Sequence, residues 1–100
     1  MANSVGGGGV FISGEKTVTT SGTALALEST FKLARSLTIR AKVGNTNQIY
    51  VGGPDVTTST NDGLDSGESL SINPVQGIDL SLVFIDVDTD GEGVDFYAVR

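Results

Sequence analysis

The sequence contains no cysteine, no histidine and no tryptophan. Without cysteine there is no disulfide framework, no thiolate metal site and no thiol redox chemistry. Without histidine the chain lacks the commonest general base, the usual activator of a serine nucleophile and the commonest zinc ligand. The glycine run at 6–9 is not followed by the Lys-Ser/Thr pair of a phosphate-binding loop. We therefore expect no catalytic residues, no cofactor and no metal, and we predict that the protein is not an enzyme.

Positive charge is scarce and unevenly distributed. The net charge is −6, and residues 1–54 carry five bases against two acids, whereas residues 55–100 carry ten acids against Arg100. Nucleic-acid binding needs a basic footprint for the phosphates, so we expect no nucleic-acid partner. Bases concentrated in one part of an acidic chain favour docking on an oppositely charged protein surface. A solvated acidic surface that maintains solubility is the alternative interpretation.

Long hydrophobic runs are also missing. No apolar stretch approaches the ~20 residues that span a membrane, and Met1–Val10 lacks the basic start and apolar centre of a signal peptide. We therefore expect a soluble chain with no membrane partner. Residues 1–14 are predicted to be a flexible glycine-rich arm and residues 15–100 a single domain. Within the arm, residues 10–12 form either a first short strand or an apolar anchor that inserts into a neighbouring molecule.

Alternating polar and apolar residues are the strongest structural signal. Leu37, Ile39, Ala41 and Val43 alternate with polar residues, which is typical of a half-buried strand. The next four residues, Gly-Asn-Thr-Asn at 44–47, are of types that favour turns. We therefore predict a hairpin whose returning strand is 48–51, with the other strands added around it.

Further short strands are predicted on the C-terminal side of this hairpin. Residues 80–87 are apolar on both faces, which indicates a central strand, whereas residues 68–73 and 94–100 alternate. In the first of these alternating segments Leu70 and Ile72 are predicted to face inward. Six to eight short strands separated by glycine-rich turns predict an all-β fold, an antiparallel β-sandwich or jelly-roll-like barrel.

The acidic stretch at 86–92 has the D-x-D-x-D-G spacing that begins a calcium-binding loop. Asp86, Asp88 and Asp90 supply its carboxylates. The EF-hand form also needs a glutamate at loop position twelve, which here is Tyr97, and it needs flanking helices where strands are predicted. A hairpin turn with solvated acidic residues is the favoured interpretation. A calcium-dependent binding module is a further alternative.

The basic residues suggest where a partner protein docks. Arg40 and Lys42 fall on the polar face of the strand at 36–43, with Arg35 close by in sequence. They form either a docking stripe or a solvated strand face that resists aggregation. Together with the apolar segment near the N-terminus, they make up a predicted interface of six residues, Val10, Phe11, Ile12, Arg35, Arg40 and Lys42.

The chain resembles small virion proteins of tailed bacteriophages in two segments, SLTIRAKVGNTNQIYVGGPDVTTSTNDGLDSGESLSI and IDLSLVFIDVDTDGEGVDFYAV. The likeness covers residues 15–100 and consists of turn-and-strand patterns. It implies a structural virion protein, and within that class a capsid decoration (cement) protein that stabilises the outer head surface. The implied partners are the major capsid protein and further copies of this chain in a homotrimer, on a virion assembled in the host cytoplasm. A head–tail or tail/fibre-base adaptor is the second possibility.

Overall fold

Residues 10–100 are described by a computed structural model in which nearly all regular structure is β. Six strands have four to seven residues and three have two. The elements, in chain order, are β1 Phe11–Thr17, β2 Leu25–Ala26, β3 Leu33–Ala34, β4 Ser36–Ala41, β5 Ile49–Gly52, β6 Ser69–Ile72, β7 Ile78–Asp79, a 3-10 helix at Leu80–Leu82, β8 Phe84–Val87 and β9 Gly93–Val99. The predicted all-β class is confirmed.

The strands form two main antiparallel sheets that share one core. One sheet has the order β1-β9-β4-β6 and the other β2-β8-β5, while β3 and β7 make a separate two-stranded sheet. Because alternate residues of a strand face opposite sides of its sheet, each main sheet contributes one apolar face to the interior. Residues buried there include Leu37, Ile39, Ile49, Ile85, Val87, Val94 and Phe96. This arrangement is sandwich-like, and jelly-roll connectivity stays a prediction.

The prediction of a hairpin at 36–51 is wrong. β4 pairs with β6 and β9, whereas β5 pairs with β8 in the other sheet. The intervening segment turns away because its hydrogen bonds go to a distant part of the chain. The backbone N–H groups of Thr46 and Asn47 donate to the Glu92 carboxylate at 2.7 and 3.2 Å. Residues 44–47 are therefore a crossing between sheets.

The boundary of the predicted N-terminal arm also differs. β1 begins at Phe11 and pairs with β9 along its whole length, from Phe11 opposite Val99 to Thr17 opposite Gly93. Residues 11–14, which the prediction placed in the arm, are thus part of the four-stranded sheet. Residues 1–9 lie outside the described part of the chain.

The other strand predictions hold to different degrees. Val94, Phe96 and Ala98 all face the core from β9, as their alternation indicated. The segment 80–87 begins as the 3-10 helix, and β8 then lies at the centre of its sheet as predicted. Leu70 lies on the core side of its sheet opposite Ile39, as predicted, but it stays 40% exposed because β6 is an edge strand.

Candidate interaction surface

The solvent-facing side of the β1-β9-β4-β6 sheet, called the outer face below, brings three of the predicted interface residues, Phe11, Arg40 and Lys42, onto one side of the sheet. Its side chains come from alternate positions of four strands whose other positions face the core. The outer face is formed by Phe11, Ser13, Glu15 and Thr17 of β1, Asp95, Tyr97 and Val99 of β9, Ser36, Thr38 and Arg40 of β4, and Ser69 and Ser71 of β6.

One end of the outer face is apolar and aromatic. Phe11 is 66% exposed and Tyr97 is 39% exposed. Their rings are stacked, with centroids 6.4 Å apart and an interplanar angle of 22°. Val10, which directly precedes β1, is 62% exposed. Aromatic residues held on a rigid scaffold are enriched at the centres of protein interfaces, so this end is suited to burying an apolar partner surface.

The other end of the outer face carries charges that largely neutralise each other. The Lys42 ammonium lies 2.8 Å from Asp95 Oδ1 and 2.8 Å from Glu15 Oε1. The hydrogen bond to Asp95, followed by that to Glu15, raises the pKa of Lys42 above its ordinary value. Arg40 Nε donates to the carbonyl of Gly67 at 3.3 Å. The predicted basic stripe therefore carries little net positive charge, because the Lys42 ammonium is paired with the carboxylates of Glu15 and Asp95.

The six residues of the predicted interface do not lie together. Phe11 lies at the apolar end of the outer face, and Arg40 and Lys42 lie at its charged end. Val10, two residues before Ile12, falls on the other side of the strand. Ile12 is half-buried and packs against the core on the opposite side of the sheet. Arg35 is exposed just before β4. Tyr97 was missed, because only the β1–β9 register brings its ring beside that of Phe11.

A second apolar feature opens at the edge of the sandwich. It is a cleft of about 330 Å³. Its side chains are all aliphatic, and Leu82 and Leu70 on its rim are 58% and 40% exposed. Because no polar side chain lines the cleft, it is suited to apolar groups. The residues that line it are Ile39, Val51, Gly52, Gly53, Leu70, Ile72, Ile78, Leu82 and Val83.

The D-x-D-x-D-G stretch serves as a set of hydrogen-bond acceptors. Asp86 Oδ1 accepts from the backbone N–H of Gly22 at 2.9 Å, and Asp90 Oδ1 accepts from that of Ser21 at 2.7 Å. Asp88 Oδ2 accepts from the Tyr50 hydroxyl at 2.9 Å, and burial together with this bond raises the pKa of that phenol. Within residues 10–100, no three acidic side chains converge as a metal site requires.

Glu92 holds the crossing between the two sheets. Its carboxylate accepts from the backbone N–H and the hydroxyl of Thr46, at 2.7 and 2.9 Å, and from the backbone N–H of Asn47. These bonds, the Thr46 backbone bond first, hold the pKa of Glu92 below its ordinary value despite partial burial. Charged acceptors make stronger hydrogen bonds than neutral ones, so the crossing depends on an ionised Glu92.

We expect Glu92→Gln to reduce the acid sensitivity of the fold. A carboxyl whose pKa is lower in the folded state stabilises the fold above its unfolded pKa, and this stabilisation is lost as the pH falls through the folded value. Between pH 6 and pH 3 the melting temperature of the wild type should thus fall further than that of E92Q. Asp55→Asn, which removes an exposed carboxyl with no bond in the described structure, should behave like the wild type. Parallel pH curves for wild type and E92Q would contradict this role.

Searches of protein-family models, curated proteins and solved structures find no significant match to the chain. In the part of the chain that the structure covers, no helix has the length and apolar character needed to cross a membrane. The resemblance to phage virion proteins therefore rests on the two sequence segments given above.

Proposed function

We propose that this protein is a non-enzymatic structural component of a tailed-bacteriophage virion, a decoration protein that binds the major capsid protein on the outer head surface. The observation that carries the proposal is the exposed Phe11–Tyr97 pair at one end of a rigid four-stranded sheet. A sheet face that displays aromatic groups provides a contact surface without needing a pocket. The assignment to a phage particle is supported by the resemblance of the two sequence segments to small virion proteins.

Stabilisation of the shell would follow from binding linkage. A protein that binds the mature shell and not its dissociated or unexpanded forms shifts the equilibrium toward the mature shell. Each contact can be modest, because the effect is repeated at every site on the particle and linked copies bind with avidity. The net charge of −6 keeps free copies soluble and favours docking beside basic groups of the partner.

Self-association belongs to the same proposal. The resemblance implies a homotrimer on the virion surface, assembled in the host cytoplasm, and this assembly stays a prediction. The apolar end of the outer face and the aliphatic cleft are two surfaces with apolar area to bury against a neighbour.

Copy number per particle is the measurement that tests the proposal. Quantitative mass spectrometry of purified virions should find hundreds of copies, close to the number of major capsid proteins or a third of it. About a dozen copies or fewer would instead place the protein at the neck or tail, as an adaptor. Absence from purified virions would overturn the virion proposal altogether.

The binding surface is tested by removing its exposed aromatic ring. Phe11→Ser should weaken binding to heads assembled without this protein by about tenfold or more, because burial of such a ring contributes about 1.5–3 kcal/mol. Val75→Ser is the matched control, since Val75 is also an exposed apolar residue but lies in the turn after β6. Equal binding by the two variants would show that the partner does not use the apolar end of the outer face.

A further inference from the structure

β1 leaves a complete row of backbone groups without partners among residues 10–100. It lies at one edge of the four-stranded sheet. At its two ends the Val10 carbonyl accepts from Arg100, and the Val18 N–H donates to Glu92, both at 2.9 Å. Hydrogen bonding alternates along an antiparallel pair, so the even-numbered residues of β1 bond to β9. The N–H and C=O groups of the odd-numbered residues are therefore directed away from the sheet, and these residues are Phe11, Ser13, Glu15 and Thr17.

The opposite edge of the same sheet is less extensive. Ala41 exchanges hydrogen bonds with Gly67 and Glu68 at 2.9 Å, which fixes the alternation between β4 and β6. Leu70 and Ile72 then bond to β4, and only the two serines of β6 direct backbone groups outward. β1 thus offers twice as many outward-facing residues as β6.

We propose that β1 is a self-pairing edge, through which two copies of this chain join as an antiparallel β1–β1 pair about a two-fold axis at Gly14. Phe11 then pairs with Thr17 of the second copy, and Ser13 pairs with Glu15. Every outward N–H and C=O of both strands finds a partner in this register, and the two sheets become one of eight strands. The proposal goes beyond the decoration function and does not depend on it.

The side chains of β1 favour this register over its neighbours. A shift that moves the axis to Glu15 would place two glutamates opposite each other, which is destabilising. A shift to Ser13 would pair Phe11 with Glu15 and place Thr17 opposite residue 9, which lies outside β1. With the axis at Gly14, no like charges are opposite and no side chain stands at the axis. Lys16 then lies opposite Ile12 of the second copy, where its aliphatic stem can pack.

A second copy is the occupant because the contact is complementary to itself and needs no other sequence. Unpaired edges are usually blunted by proline, by charged side chains, by bulges or by a covering segment. Residues 11–17 contain no proline and pair regularly with β9, and their two charged residues, Glu15 and Lys16, lie opposite Ser13 and Ile12 in the proposed register. Backbone pairing of one strand buries less area than a permanent interface. We therefore expect a concentration-dependent monomer–dimer equilibrium. In the dimer both Phe11–Tyr97 pairs lie on the same side of the joined sheet, so it would present two aromatic contacts to one partner surface.

Proline substitutions at the two edges test the proposal in the isolated protein. Ser13→Pro removes an outward N–H of β1, and Ser71→Pro removes an outward N–H of β6. Neither removes a backbone hydrogen bond within the sheet, although Ser71→Pro also removes the hydroxyl that lies 2.9 Å from Thr38 Oγ1. Analytical ultracentrifugation should show a wild-type dimer, at least tenfold weaker dimerisation of S13P and unchanged dimerisation of S71P. Circular dichroism and thermal melting establish that both variants are folded. A monomeric wild type, an unaffected S13P, or equal loss in both variants overturns the proposal, and equal loss would indicate a head-to-tail ring.

An engineered disulfide tests the register independently of any loss of stability. The chain has no cysteine, so a double variant with Ser13→Cys and Glu15→Cys carries only the introduced thiols. Opposed residues in the proposed pair have Cα atoms about 5.5 Å apart, within the range of a disulfide. Oxidation should give a covalent dimer that survives denaturing electrophoresis, whereas Ser13→Cys alone should give much less. Equal yields from the single and double variants would overturn the register.

Discussion

Gly93→Ala is expected to lower the free energy of unfolding by about 3 kcal/mol, because β1 crosses too close to this residue for any side chain. Gly93 is buried at the start of β9. A methyl group there would overlap the carbonyl oxygen of Lys16 and lie 2.7 Å from the Cα atom of Thr17. Both atoms belong to the backbone of β1, so relief requires that β1 move away from β9. The substitution therefore acts on the pairing that joins the two longest strands.

Gly44→Ala is the matched control for this effect. Gly44 has open space around its Cα and does not have a positive φ, so alanine should change stability by no more than about 0.5 kcal/mol. Urea unfolding of the two variants and the wild type, followed by far-ultraviolet circular dichroism, measures the difference. Similar midpoints for G93A and G44A would contradict the close approach of β1 to β9.

Which face of each strand is buried could be predicted from the sequence, because burial follows a local rule. An alternating strand that covers a core must turn its apolar side chains inward, whatever its neighbours are. Leu37 and Ile39 of β4, and Phe96 of β9, are accordingly buried as the pattern indicated. The apolar residues that stay exposed despite the pattern lie at the edge of a sheet or beyond the end of a strand. Leu70 is on an edge strand, and Val43 is beyond the end of β4 and 66% exposed.

Pairing between strands could not be predicted in the same way, because it depends on bonds between distant residues. The turn-forming residues at 44–47 are compatible with a hairpin and with a crossing between sheets. The choice is set by Glu92, whose carboxylate accepts from Thr46 and Asn47. Nothing in the local pattern of either segment reveals that contact. The candidate surface shows the same limit, since the ring of Phe11 meets that of Tyr97 only through the β1–β9 register.

Asp86→Ala is expected to lower the free energy of unfolding by about 2 kcal/mol. The Asp86 side chain is 1% exposed and its Oδ1 accepts from the backbone N–H groups of Gly22 and Val87, at 2.9 and 2.8 Å. β2 begins at Leu25, opposite Ile85, so it does not reach Val87. A side chain bonds to Val87 in place of a strand, since the Ser21 hydroxyl donates to the Val87 carbonyl. Alanine would leave two backbone donors without an acceptor, and each such loss costs about 1–3 kcal/mol when the donor is buried.

Two matched variants separate this role from calcium binding, the other interpretation of the D-x-D-x-D-G stretch. Asp86→Asn keeps an oxygen acceptor but removes the charge, so it should remain within about 1 kcal/mol of the wild type. Asp88→Ala removes an exposed acceptor for Tyr50 and should have a smaller effect than D86A. If the carboxylates were cation ligands, calcium would raise the melting temperature of the wild type, and loss of charge in D86N would abolish the shift. We expect calcium to leave the melting temperatures of the wild type and D86N unchanged, because Asp86 and Asp90 already bind the backbone of the Ser21–Gly22 turn.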